Sequence, residues 1–184
     1  MYTIKITNKK ELDKFIFRSC TYKILNKESE LESIKKEAFL RRIVLINGTF
    51  DPIHAGHVNL LNFSRYLGDI TVVLINSDES IKKLKGSERP FLNQKDRAYI
   101  LSSFTFVDYV YIFDEERITK YFDIIKPHIW LKGGDYNDET IEKTELNAAK
   151  VNGIKIYSLP RDIIEFGNNS SGTDLFNKIK NNNK

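Results

Sequence analysis

From Arg42 onward, short apolar runs alternate with amphipathic stretches, and this alternation restricts the folds open to the chain. IVLIN (43–47), ITVVLIN (70–76), DYVYIF (108–113), HIWLK (128–132) and IKIYSL (154–159) are rich in β-branched and aromatic residues and too short to be helices. Between them lie HVNLLNFSRYL (57–67), closed by Gly68, a basic stretch at 78–84, and QKDRAYILSSF (94–104). A segment at 117–125 halts before Pro127, one at 139–151 ends at Gly153, and DLFNKIK (174–180) comes last. Each carries helical spacing or a helix stop signal. Strands and helices in alternation build βαβ units, whose crossovers produce a parallel sheet with helices on both faces. The expected fold class is α/β, a doubly wound parallel sheet. Ligands of such sheets sit beyond the carboxyl ends of the strands, where the strand order reverses. Chemistry is therefore expected in the loops after Asn47, Ile75 and Lys132.

Residues 1–40 have more charge and shorter apolar runs than the rest. They predict a strand at 2–6, then helical material with Leu12, Phe15 and Ile16 on one face. The expected division is an N-terminal extension over 1–40 and a main domain over 41–184. At 184 residues and 41% hydrophobic content the chain can bury a real core, which excludes wholesale disorder. No run approaches the roughly 20 apolar residues of a membrane span. MYTIKITNKKELDKF carries charges where a signal peptide needs its apolar stretch, so a cytoplasmic location is expected, without membrane partners. A single cysteine, Cys20, leaves no intramolecular disulfide framework. The net charge of +4 is spread along the chain; it suits a small polyanion and makes a nucleic-acid partner unexpected.

The loop after the first long strand reads Asn47-Gly48-Thr49-Phe50-Asp51-Pro52-Ile53-His54-Ala55-Gly56-His57. Gly48 clears the strand end for a ligand, and Gly56 opens a helix whose first amides lack intrahelical partners. Two imidazoles at that positive end, His54 and His57, make an anion site suited to phosphate. The alternative is half of a metal site, which needs a third ligand such as His128 or Cys20. The loop lacks the Gly-Lys-Ser/Thr ending of a Walker A motif.

GTFDPIHAGH resembles the HxGH signature of the nucleotidyltransferase superfamily, the cytidylyltransferase-like enzymes that transfer a nucleoside monophosphate from an NTP. The resemblance covers about residues 42–180 and implies a Rossmann-like HxGH nucleotidyltransferase fold. It implies that His54 and His57 contact the triphosphate and stabilise charge as pyrophosphate leaves, with Gly48, Thr49, Phe50, Asp51 and Gly56 around the nucleotide. NSDESIKKLKG (76–86) and ERPFLNQKDRAYIL (88–101) are similar to the segment bearing the phosphate-binding lysine. Lys85 is the candidate catalytic cation and Arg89 a weaker candidate for substrate, while Lys82 and Lys83 fit a solvated face and Arg97 a carboxylate pair.

LKGGDY (131–136), together with VDYVYIFDEE (107–116), resembles the bacterial D-glycero-β-D-manno-heptose 1-phosphate adenylyltransferases, the adenylyltransferase half of ADP-heptose synthase systems. That likeness places Lys132, Gly133, Gly134 and Asp135 at the base or ribose. Asn169-Ser170-Ser171-Gly172-Thr173 resembles the closing phosphate motif, with Ser170, Ser171 and Thr173 as its ligands and Gly172 standing where the family has a hydroxyl. Arg161 and Trp130 are further candidates for the acceptor, although Trp130 sits inside a strand, as a core residue would. The implied reaction is in-line attack of a sugar 1-phosphate on the α-phosphorus of ATP, within ADP-heptose biosynthesis. Mg²⁺ is expected with the ATP, held by phosphate and water oxygens and not by protein side chains alone. A homodimer is also expected from the resemblance. The alternatives are cytidylyl transfer to glycerol 3-phosphate or a similar alcohol phosphate, or a non-catalytic nucleotide-binding protein on the same fold.

Overall fold

The computed structural model describes residues 20–134, 136–137 and 139–160. One sheet contains β1 (Ile24–Leu25), β2 (Ile43–Gly48), β3 (Ile70–Asn76), β4 (Tyr109–Phe113), β5 (Ile129–Gly133) and β6 (Lys155–Leu159). All neighbours are parallel, in the order β1-β4-β3-β2-β5-β6. The helices are α1 (Glu28–Glu37), α2 (Ala55–Leu67), α3 (Asp78–Lys85), α4 (Gln94–Ser102), α5 (Thr119–Ile125) and α6 (Lys143–Val151). From β2 the chain steps outward through β3 and β4, then returns to the other side of β2 for β5 and β6. This is the doubly wound α/β sheet expected from the alternation. Its strand order reverses at β2, so the crevice lies where the carboxyl ends of β2 and β5 meet.

The apolar runs lack polar alternation because both faces of the sheet are covered. Ile43, Leu45, Ile70, Val72 and Leu74 pack on one face with Leu31 and Ile34 of α1, Phe122 and Ile125 of α5, and Leu146 of α6. Val44, Ile46, Val73 and Ile75 pack on the other with Leu60 and Leu61 of α2 and Ala98 and Leu101 of α4. Among the described residues, no helix is long and apolar enough to cross a membrane.

Within the segment expected as an extension, the described residues join the sheet: β1 pairs with β4 through Ile24 and Val110, and α1 buries Leu31 and Ile34. The strand expected at 2–6, the helical material with Leu12, Phe15 and Ile16, and the last helix at 174–180 lie outside the described residues. α6 begins at Lys143, four residues later than the periodicity suggests. Asn137 Oδ1 accepts the amides of Glu139 and Thr140 in a turn, and the Glu142 side chain caps the helix that follows.

Candidate active site

β2 delivers the chain to the crevice, and the loop 49–54 turns it into α2. A β-carbon on Gly48 would lie 3.2 Å from the Phe50 ring, a tight contact to which the ring would have to yield by a few tenths of an ångström. Phe50 takes φ +50, a left-handed conformation unfavourable to a side chain. Bonds on either side hold it there. Arg97, fully buried, donates to the Thr49 carbonyl (2.8 Å), the Leu92 carbonyl (2.9 Å) and Asp78 Oδ1 (2.8 Å). The enclosed Asp51 carboxylate pairs with Arg89 Nη2 at 2.8 Å and accepts the amides of Phe91 and Leu92, each at 2.9 Å. Arg89 also donates to the Asp51 carbonyl, and its guanidinium lies 4.4 Å from the Phe91 ring centre.

These contacts give three of the expected site residues structural partners. Asp51 and Arg89, expected at nucleotide and substrate, are buried against each other and brace the loop against residues 89–92. Phe50, expected at the nucleotide, is buried with its ring centre 4.9 Å from that of His57, which it supports. Arg97 brings the largest addition to the expected set. Its carboxylate pair was foreseeable from its place on an apolar helix face, but its hold on the Thr49 carbonyl was not.

The reactive side of the loop gathers the histidines and a lysine. His54 stands at the N-cap of α2 and its side chain does not cap the helix, so the first amides keep their partial positive charge toward the crevice. The His54 and His57 rings lie 3.9 Å apart, centre to centre. His57 Nδ1 is buried with no partner among the described residues. Burial above all, then the nearby charges of His54 and Lys85, pull the His57 pKa down to about 3. The imidazole is therefore neutral at rest and holds an unsatisfied ring nitrogen. Lys85, at the end of α3, reaches back to donate to Thr49 Oγ1 at 3.0 Å. Burial and Arg89 draw its pKa below the ordinary lysine range, and Asp51 opposes them. Lys82, by contrast, is engaged with Glu79 on the surface (2.6 Å), as its solvated position suggested.

The metal alternative needs a third ligand beside His54 and His57. His128 precedes β5 and accepts the Ile43 amide at the opposite end of the sheet, where Cys20 also contacts Ser103. Neither can join His54 and His57. Among the described residues, no three His, Cys, Asp or Glu side chains are grouped to hold a metal ion. The donor set of imidazoles, amides and lysine suits phosphate oxygens.

On the β5 side, the strand ends at Gly133 and Gly134 follows it. Gly134 takes φ +124, which demands glycine, and its amide is bonded to the Leu159 carbonyl at 2.9 Å. Lys132 Nζ lies 4.2 Å from the Trp130 ring centre and 4.4 Å from that of Tyr136. Trp130 is fully buried, and its Nε1 donates to Asn47 Oδ1 at 2.8 Å, so it ties β5 to the end of β2 and belongs to the core. Asp135, Arg161, Ser170, Ser171 and Thr173 lie outside the described residues.

Residues 45–177 match the family model described as cytidylyltransferase-like. The chain belongs to that family. Membership makes it a nucleotidyltransferase enzyme, with the loop after β2 lying at the switch point of a doubly wound sheet. Among curated proteins it is 41% identical over 138 residues to the bifunctional protein HldE of a Nitratiruptor species, covering 74% of this chain and 30% of that protein. It is 39% identical over 158 residues to that of Helicobacter pylori, covering 86% and 31% respectively. The chain thus spans less than a third of the length of these relatives. The crystal structure of a lipopolysaccharide core biosynthesis protein from Thermoplasma volcanium is similar with a TM-score of 0.55 and 28% identity, over 65% of this chain and 96% of that one. A pantoate-beta-alanine ligase from Francisella tularensis shares the fold at a TM-score of 0.52 and 16% identity, over 74% of this chain and 66% of that one.

The buried neutral His57 has a consequence for stability. Its folded pKa of about 3 lies below the ordinary histidine value of 6.5, so the unfolded chain binds its proton more readily. The stabilisation is complete above about pH 6.5 and is lost as the pH falls toward 3. Between pH 7.5 and pH 5, this one site should cost the wild type about 2 kcal/mol that H57N does not lose. Urea unfolding of both proteins at the two pH values checks it; identical losses would mean that His57 is not the group responsible.

Proposed function

We propose that the chain transfers AMP from ATP to a sugar 1-phosphate, D-glycero-β-D-manno-heptose 1-phosphate by its sequence resemblance, and releases pyrophosphate. The observation that carries the reading is the meeting of His54, His57 and Lys85 around Thr49 at the amide end of α2. Four donor types for one polyanion converge there, while the loop's own carboxylate, Asp51, is turned inward onto Arg89. The relatives support the acceptor class: bifunctional HldE proteins by sequence, and a protein of lipopolysaccharide core biosynthesis by structure.

The chemistry asks little covalent work of the protein. A phosphate monoester is already ionised near neutral pH, so its oxygen can attack the α-phosphorus without a base. As the new P–O bond forms, the bond to the β-phosphate bridging oxygen breaks and pyrophosphate carries away the electron pair. Negative charge then grows on the leaving group. His54, His57, the α2 amides and Lys85 are placed to bind that charge, which is stabilisation by groups already oriented. Mg²⁺ bound to ATP would offset phosphate charge, held by phosphate and water oxygens. The loop contacts from Arg97 and Asp51 keep Thr49 within reach of Lys85.

Pyrophosphate release tests the reading with ATP or CTP crossed against heptose 1-phosphate, glycerol 3-phosphate and 4′-phosphopantetheine, all with Mg²⁺. Turnover is expected with ATP and the heptose phosphate alone. Turnover only with CTP and glycerol 3-phosphate would replace the reading by cytidylyl transfer to an alcohol phosphate. Binding of ATP without turnover in any pair would replace it by a non-catalytic nucleotide-binding role.

A further inference from the structure

Among the described residues, Lys132 is a partly buried cation without a bonded anion. Its ammonium sits between the rings of Trp130 and Tyr136, 4.2 and 4.4 Å from their centres, and among those residues no hydrogen bond or ion pair reaches it. Glu145 acts on it electrostatically, but its Oε1 accepts the Ile118 amide, and Arg117 opposes with like charge. Burial holds the Lys132 pKa below the ordinary lysine range. Aromatic faces attract a cation yet do not replace a counter-ion, so enclosing this charge is unfavourable unless an anion arrives. The cage is rigid on its inner side, because Trp130 is fully buried and anchored to Asn47 of β2.

Its position says which anion. Lys85 approaches the end of β2 from the β3 side, whereas Lys132 ends β5 on the other side of β2. Residue alternation also puts Lys132 on the sheet face of Trp130, opposite the face packed by α2 and Phe50. The two cations therefore flank the crevice from opposite sides. An in-line displacement needs the incoming oxygen and the leaving group on opposite sides of the phosphorus. If pyrophosphate leaves toward His54, His57 and Lys85, the entering group comes from the β5 side.

We infer that Lys132, caged by Trp130 and Tyr136 across the end of β2 from Lys85, binds the phosphate of the acceptor, a phosphate monoester, and aims its oxygen at the donor. This rests on the adenylyl-transfer reading proposed above, and it reassigns Lys132 from the base or ribose to the acceptor phosphate.

Trp130 is the chain's one tryptophan and touches the lysine, so its fluorescence reports on the site. Titration with inorganic phosphate and with heptose 1-phosphate should change that emission in the wild type. K132M should raise both dissociation constants at least tenfold while the ATP constant, from calorimetry, changes less than threefold. K132R should recover most of the loss, and it carries the test if K132M fails to fold. Equal weakening of ATP would make Lys132 a nucleotide contact and overturn the inference. Unchanged phosphate binding in K132M, or no phosphate binding by the wild type, would overturn it too. Lys132-dependent phosphate binding in a wild-type protein that releases no pyrophosphate would sink the proposed reaction and leave this site standing.

Discussion

H57A is expected to lower kcat by about 10²–10³-fold while the protein stays folded. The ring nitrogen Nδ1 is buried and without a partner among the described residues, which the fold tolerates only at a cost in free energy. Such a group is commonly reserved for a ligand, and the amide end of α2 and Lys85 mark that ligand as anionic. An imidazole held neutral, with a pKa near 3, gains most when negative charge appears beside it, because only then does the proton affinity of the ring recover. The benefit therefore falls on the charge-developing state more than on bound ATP. Accordingly the KM for ATP should move much less than kcat. Truncation also removes a buried unsatisfied nitrogen, so the stability change at pH 7.5 should remain within about 1 kcal/mol. Pyrophosphate release and urea unfolding on the same preparation check both halves. Wild-type turnover from a folded H57A would remove His57 from the catalytic group.

The parts of this molecule that were legible in its sequence are those that local chemistry determines. β2 and β3 are recognisable as strands covered on both faces because no polar residue breaks 43–46 or 72–75. The His54–His57 spacing announces an anion site because a helix start and two imidazoles need only a few residues to define it. β1 was not legible: Ile24 and Leu25 form a two-residue strand only because β4 offers an edge to it. The Asp51–Arg89 pair was not legible either, since its members are 38 residues apart and the motif suggests substrate roles for both. Arg97 stood out as a charge on an apolar helix face, and that anomaly was the one local sign of the bracing network. Long-range ion pairs leave little trace in spacing, because any of several carboxylates could have served.

The same network sets the largest expected stability effect. D51A should destabilise the fold by about 3–5 kcal/mol, because it takes the counter-charge from a buried guanidinium and the acceptor from two amides. Replacing the pair by D51A/R89M should recover a good part of that loss, since it removes the stranded charge together with its partner. If the carboxylate mattered only by touching substrate, the single variant would unfold like wild type and the double would be no better. Urea unfolding of the wild type, both single variants and the double variant gives the coupling, and an interaction below about 0.5 kcal/mol would refute the bracing role. Activity should not return with stability in D51A/R89M. The pair holds Phe50 in its left-handed turn and faces the loop from which Thr49 meets Lys85. Restoring the packing without the hydrogen bonds to Phe91 and Leu92 leaves that loop free to relax, and a displacement near ~1 Å is enough to cost about 10²-fold in rate.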